Sequence, residues 1–215
     1  MDVFPVPFRL NKETKNSSQK GNEINVEKRW ISELKKGEKA AFRKLYGEYH
    51  QKIYGTAITM LGNAEDAEDA VQEVFMKIYR NVSHFDGKSK IGTWIYRIAV
   101  NVCIDYVRRN KVRRAKSVSL EESSLFNLTE NGEKADRSVI SGEVNQLTKI
   151  AITQLSPKLR TVVVLRDLQG LTHSEIAGIL GCSKGTVSSR LTRGRLKLRD
   201  LLSSQGLDET YFSEI

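Results

Sequence analysis

The stretch SKGTVSSRLTRGRLKLR, residues 183–199, holds six Lys or Arg and no acid. Its residue types are those that read a nucleic-acid groove: Arg makes bidentate contacts to guanine or lends charge to phosphate, and small hydroxyls let a backbone approach closely. On a helical wheel Val187, Leu191, Gly194, Leu198, Leu201 and Leu202 share one side, an apolar seam that must pack on something. Gly185, Ser189, Thr192 and Arg193 lie opposite, with Thr186, Arg190 and Lys197 on one flank and Ser188, Arg195 and Arg199 on the other. The base- and phosphate-contacting candidates are Lys184, Thr186, Ser188, Ser189, Arg190, Thr192, Arg193 and Lys197. Leu196 also falls on the outer side, where groove contact does not account for it and a protein contact would.

A second group has similar chemistry. Trp94, Arg97, Asn101, Asp105 and Arg108 recur so that a helix places them in one stripe about 80° wide, bordered by Arg109. A basic run, RRNKVRR, follows. Aromatic, Arg and Asn interleaved supply stacking, phosphate charge and amide pairing to a base. The preceding loop, SHFDGKSK, offers Phe85 as a stacking surface and Lys88 and Lys90 for phosphate. A third group has opposite charge: Asp66, Asp69, Gln72, Glu73 and Met76 form the outer face of one helix. Such a stripe repels DNA, and a Met beside acids fits a protein partner with a basic surface.

Helices position all three. Apolar periodicity from Trp30 to Leu34 marks a short helix stopped by Gly37, and Ala41 to Ala57 a longer one ending near Gly62. Asn63 caps a third, with Glu65 and Asp66 in its first turn and Ala67, Ala70, Val71, Val74, Phe75, Ile78 and Val82 facing inward. A fourth runs from Gly92 or Thr93 to Arg109. Further on, Ser156–Pro157 reads as N-cap and first position of a helix through the VVVL run. Thr172 with Glu175 forms a capping box, Gly181 supplies a turn, and Ser183 caps the basic helix. Helix, short turn and capped helix make a helix-turn-helix.

The predicted fold is therefore all-α, two small helical domains joined by a flexible linker, the C-terminal one a helix-turn-helix. The boundaries are a flexible extension over 1–25, a helical domain over 26–114, a Ser- and acid-rich linker over 115–138, the helix-turn-helix domain over 139–205 and a tail over 206–215. The linker would make the domains cooperate through effective concentration rather than contact.

Composition bounds the function. The 215 residues carry a net charge of +9, and the polyanion this favours is nucleic acid rather than lipid. No apolar run approaches the ~20 residues of a membrane span, and the first residues lack the order of a secretory signal, so no direct membrane insertion and a cytoplasmic location are expected. The two cysteines and three histidines lie apart, without metal-ligand spacing. There is no clustered carboxylate site, nucleophile–base pair or phosphate loop. The expectation is a non-enzymatic protein with no catalytic residue, metal or cofactor.

AEDAVQEVFMKIYR, TWIYRIAVNVCIDYVRR and LTHSEIAGILGCSKGTVSSRLTRGR resemble, in order, the motifs of bacterial extracytoplasmic-function (ECF) RNA polymerase sigma factors of the sigma-70 family. The resemblance covers about residues 26–205. It implies a subunit that binds core RNA polymerase, directs it to promoter DNA to initiate transcription of a stress- or envelope-responsive regulon, and is held by an anti-sigma factor. It assigns Asp66, Asp69, Gln72, Glu73 and Met76 to polymerase docking, Phe85, Lys88, Trp94, Arg97, Asn101, Asp105, Arg108 and Arg109 to the −10 element, and the helix from Lys184 to the −35 element. Two positions depart from the family pattern: Ser188 stands where a basic residue is frequent, and Gly194 where Ala is common. The rival reading is a stand-alone helix-turn-helix regulator that binds operators as a dimer; it needs no acidic docking face.

Overall fold

The computed structural model describes residues 17–117 and 147–204, with side chains described over 26–111 and 147–204. The N-terminal half contains α1 (Ser17–Lys35), α2 (Lys39–Leu61), α3 (Ala64–Asn81), a 3₁₀ turn (Val82–His84) and α4 (Ile91–Ser117). The C-terminal half contains α5 (147–154), α6 (Pro157–Val163) continued by a π turn (Val164–Leu168), α7 (His173–Leu180) and α8 (Lys184–Ser203). Every element of the described residues is helical, as the periodicity predicts. Helix α1 begins at Ser17, so the last residues of the expected N-terminal extension belong to it, and α4 runs past Arg109 to Ser117. The linker over 118–138 and the tail over 206–215 lie outside the described residues.

Local chemistry sets the boundaries. The Asn63 side chain accepts the Asp66 N–H at 2.8 Å and starts α3. Its inner face, Ala67, Ala70, Val71, Val74 and Ile78, is buried against α2 and α4. Trp30 donates its indole N–H to the Ala41 carbonyl at 3.1 Å, which pins α1 to α2. In the C-terminal half, Val162 to Leu165 are fully buried. A run of branched residues that would read as strand by propensity is helical here because tertiary burial on all sides overrides local preference. Ser156 makes no side-chain cap bond, so Pro157 at the first position, rather than a hydroxyl, marks the start of α6.

The turn that orients α8 is built from reciprocal bonds. Glu175 N–H donates to the Thr172 hydroxyl at 3.2 Å, while Thr172 N–H donates to the Glu175 carboxylate at 2.9 Å. Gly181 follows with φ +61°, a left-handed geometry that suits glycine, and Ser183 accepts the Thr186 N–H at 3.0 Å. Val187, Leu191, Gly194, Leu198 and Leu202 are buried beneath α8, as the wheel requires. At Gly194 the helices approach so closely that a Cβ would lie 2.8 Å from Val163 Cγ2 and 3.5 Å from the Leu159 carbonyl oxygen.

The two halves are in contact, contrary to the expectation that the linker alone couples them. Helix α4 packs against α7, and α2 against α6 and the π turn. The reason is legible only in three dimensions: Lys90 in the loop and Tyr96 and Arg97 on α4 meet acceptors on the other half.

Gly194→Ala gains ~1 kcal/mol of helix propensity but overpacks a buried β-branched contact, which typically costs ~1–3 kcal/mol. Net destabilisation of about 1 kcal/mol is expected in urea unfolding. In a Val163→Ala background the same change should be neutral or stabilising; equal losses in both backgrounds would show that the close approach is not the cause.

Candidate nucleic-acid and protein interfaces

On α8 the polar candidates point away from the core. Lys184, Ser188, Ser189, Thr192, Arg193 and Lys197 are exposed, and Thr186 and Arg190 are half-buried at the margin. Local hydrogen bonds order several of them: Thr192 hydroxyl donates to the Ser188 carbonyl at 3.1 Å, Ser189 hydroxyl to the Thr186 carbonyl at 3.1 Å, and Arg193 Nε to the Ser189 carbonyl at 3.2 Å. Arg195 behaves differently. Its guanidinium grips the Asp167 carboxylate on the π turn, with side-chain exposures of 21% and 5%, and so fixes α8 to α6. Leu196 is 46% exposed on the outer surface.

The α4 stripe is likewise on the surface. Arg97, Asn101 and Arg108 are exposed, and Trp94 and Asp105 half-buried. Asp105 accepts from Arg108 at 3.1 Å, one turn away. A cleft of about 360 Å³ opens beside the stripe, lined by Trp94, Ile98 and Asn101 of α4 with Lys77 and Asn81 of α3 and His84 of the 3₁₀ turn. It joins an indole, an amide and a cation around one space, at the small end of ligand-sized clefts. Sequence reasoning placed Trp94 and Asn101 together but missed Lys77, Asn81 and His84. Their common feature, helical spacing of the first two followed by a turn, carries no sign of α4 opposite.

One expectation needs correction, and two other side chains have partners that the spacing did not show. Phe85, expected as a stacking surface, is 3% exposed. The 3₁₀ turn folds its ring inward, 5.5 Å from the Trp94 ring, so it supports Trp94 from behind. Arg109 leaves the stripe: it lies 3.6 Å from Glu73 on α3 and stacks over Tyr106 at 4.6 Å. Arg97 is exposed, yet its guanidinium donates to the Gly178 carbonyl of α7 at 2.6 Å. Lys88 remains a solvated loop cation, 3.0 Å from Asp86.

On α3, Asp69, Gln72 and Met76 stand free on the outer face, Met76 at 53% exposure. Asp66 and Glu73 are partly committed within the chain. The Asp66 carboxylate accepts from Asn110 Nδ2 at 2.7 Å and from Nδ2 of the cap residue Asn63 at 2.7 Å. The hydrogen bond from Lys77 at 2.8 Å, reinforced by Arg109, holds the Glu73 carboxyl below its ordinary range. Beside Met76 lies an aromatic patch that the sequence did not reveal. Tyr79 and Tyr46 are 64% and 50% exposed, with Tyr79 edge-on to Phe42 at 4.9 Å and Tyr46 4.8 Å from Phe75. Tyr79 follows Met76 by one turn, and both extend the same face toward α2.

Among the described residues no group of His, Cys, Asp or Glu is arranged to hold a metal ion, and no helix is long and apolar enough to cross a membrane. Burial pushes the Cys103 thiol up to about 12.

A capped helix-turn-helix with an outward basic helix is thus joined to a helical bundle bearing an aromatic–amide cleft and an acidic outer face on α3. Family models described as Sigma-70 region 2 and Sigma-70, region 4 match residues 45–113 and 151–198. The chain is 37% identical to the ECF RNA polymerase sigma factor SigW of Bacillus subtilis over 184 residues, covering 84% of this chain and 98% of that one. It is 33% identical to the RNA polymerase sigma-H factor of Pseudomonas aeruginosa, covering 77% and 88%. The sigma factor RpoE from Bartonella quintana, solved with the anti-sigma factor NepR, superposes with a TM-score of 0.61 at 25% identity, covering 75% of this chain and 96% of that one. The chain belongs to the ECF sigma factors of the sigma-70 family. It is an RNA polymerase sigma factor, a subunit that joins core polymerase to promoter DNA.

Because Phe85 is buried and Asn101 is not, the two should respond differently to truncation. Phe85→Ala is expected to cost ~3–5 kcal/mol in chemical denaturation, and Asn101→Ala less than ~0.5 kcal/mol. Equal small effects would return Phe85 to the surface role.

Proposed function

We propose that residues 139–205 read the −35 element through the outward face of α8, and that residues 26–114 read and open the −10 element through the cleft beside α4. The observation that carries this reading is the cleft itself, where Trp94, Asn101, Lys77 and His84 face one space beside a polar stripe. Opening a duplex costs a few kcal/mol per unstacked base, which a stacking ring, an edge-pairing amide and a phosphate-seeking cation return. Helix α8 supplies the complementary half, with Arg193 and Arg190 placed for guanine edges or phosphate and Ser189 and Thr192 small enough for close approach.

Core polymerase docks on the α3 face in this reading. Asp69, Gln72 and Met76 carry the contact, extended by Tyr79 and Tyr46, and meet a basic, partly apolar surface such as the polymerase clamp helices. The protein does no chemistry of its own; catalysis belongs to the polymerase. It works in the cytoplasm, is held by an anti-sigma factor until a signal arrives, and serves a stress- or envelope-responsive regulon. The complex of the Bartonella sigma factor with NepR supports an anti-sigma partner by similarity.

Run-off transcription with core polymerase tests the reading directly. A promoter-specific transcript is expected only with this protein present, and its absence on every promoter tried would overturn the assignment. Asn101→Ala should lower transcription on a fully paired template and recover on one with a mismatched bubble at the −10 element. Equal loss on both templates would count against a strand-opening role.

The docking face has its own test. Asp69→Lys with Gln72→Lys should abolish capture by core polymerase while circular dichroism and melting stay unchanged, since both residues are exposed. Glu73 is left alone because its reversal would also repel Lys77 and Arg109. Normal capture by the folded double variant would rule this face out.

A further inference from the structure

We propose that the corner between α1 and α2 is a phosphate-binding track for single-stranded DNA. Lys35, Lys36, Lys39 and Arg43, continued by Arg80, hold the strand that leaves the cleft once the duplex has opened. The proposal rests on the −10 reading of that cleft.

The corner concentrates charge that neither the fold nor the two DNA-facing sites use. Lys35, Lys36, Lys39 and Arg43 are exposed, and none of them is ion-paired among the described residues. Glu33 is turned to Arg29 at 3.1 Å, and Glu38 is the one acid within the cluster. Helix stability accounts for part of the placement. A cation in the last turn of a helix favours the dipole, which suits Lys35 and Arg80. Lys39 and Arg43 stand in the first turns of α2, where the dipole opposes cations and Glu38 makes no side-chain cap bond. The corner is also rigid. Gly37, at φ +77°, reverses the chain, and the Gly37 and Glu38 N–H groups donate to the Leu34 and Glu33 carbonyls at 3.0 and 3.1 Å. Trp30 holds α2 through its indole bond to Ala41, and Lys44 lies over the same ring at 5.1 Å. The cations therefore converge without the ordering cost of a loose loop.

Position ties the corner to the cleft. Phe42, between Lys39 and Arg43 in the chain, meets Tyr79 at 4.9 Å, so this flank of α2 borders the end of α3. Arg80 follows Tyr79 and is exposed, and Asn81 and His84, just beyond it, line the cleft. The 3₁₀ turn that carries His84 packs against α1. In the other direction the α4 stripe runs from the cleft through Asp105 and Arg108 to Lys111, a surface for duplex that is still paired. A strand opened at the cleft therefore continues on the opposite side, past His84 and toward the corner. Spaced cations suit such a strand, because its phosphates recur whatever the bases. Helix α3 is divided to match: its acids lie in the first half, where a protein docks, and Arg80 at its end, where a strand passes.

The test compares holoenzyme made with the full parent chain and with a triple variant, Lys36→Gln, Lys39→Gln and Arg43→Gln. Both are titrated with fluorescent fork templates open at the −10 element. The single strand beyond the element is either absent or about ten nucleotides long, the scale of an electrostatic single-strand groove. The tail should tighten binding of the parent about tenfold and of the triple variant less than about twofold, with equal binding to the template that lacks it. On the tailed template the slope of log affinity against log salt should become shallower by about 2, as three single-strand phosphate contacts are lost. Lys36→Arg, Lys39→Arg and Arg43→Lys together should restore both values. Melting of the triple variant should match the parent, since all three side chains are exposed. Equal loss on both templates, an unchanged slope, or no gain from the tail in the parent would overturn the proposal. So would loss of capture by core polymerase, which would make the corner a protein contact. Asn101→Ala tests the cleft separately. If it binds both templates like the parent, the −10 reading fails, while the effect of the tail still decides what the corner holds.

Discussion

The side chain on which the arrangement turns is Arg160. It lies in α6, half-buried, and reaches the carbonyls of Thr153 and Leu155 at the end of α5 and of Met60 at the end of α2. Carbonyls in the last turn of a helix have no intrahelical partner and carry the negative end of its dipole. One guanidinium, which cannot shed its charge, satisfies such groups on two elements at once. It thereby sets where α5 stops, how α6 lies, and where the C-terminal half meets the N-terminal one. Arg97 makes the reciprocal contact, from α4 to the end of α7. Each half closes a helix terminus of the other, and the basic helix takes its orientation from that frame through Asp167–Arg195 and the Gly194 contact.

Glu175 shows how one acid can serve two levels of structure. Partial burial would raise its carboxyl, but hydrogen bonds from Thr172 and Lys90 outweigh this and bring it down to about 2. A carboxylate depressed on folding stabilises fully above its ordinary value near 4.5, and that contribution is lost as pH falls through the folded value. At neutral pH the same side chain therefore starts α7 and holds Lys90. The cost of separating the two halves is partly a cost to the start of the helix-turn-helix.

What was legible in the sequence was what repeats locally. The seam of Val187, Leu191 and Leu198, the Thr172–Glu175 box and the Asn63 cap each announce a helix within a few residues, and each is present. The −10 candidates Trp94 and Asn101 were found the same way, by helical spacing. Phe85 was misjudged because an aromatic in a polar loop looks exposed until a 3₁₀ turn buries it. Lys77 and His84 escaped notice because their cleft needs α3 and α4 side by side. Arg109 was assigned by its neighbours in the chain, whereas its partner Glu73 lies on another helix. Long-range pairing of charges has no local period, so no spacing along the chain announces it.

The acceptors of the inter-half ties have a consequence for how the protein behaves as ionic strength changes. Three of the four ends are uncharged: the Met60 and Gly178 carbonyls and the Gln169 amide. Mobile ions screen such contacts little, and only Lys90–Glu175 is an ordinary exposed ion pair. Affinity for a polyanion, by contrast, falls steeply as its condensed counterions are harder to release. Added salt therefore weakens the grip on nucleic acid far more than it weakens the chain's grip on itself.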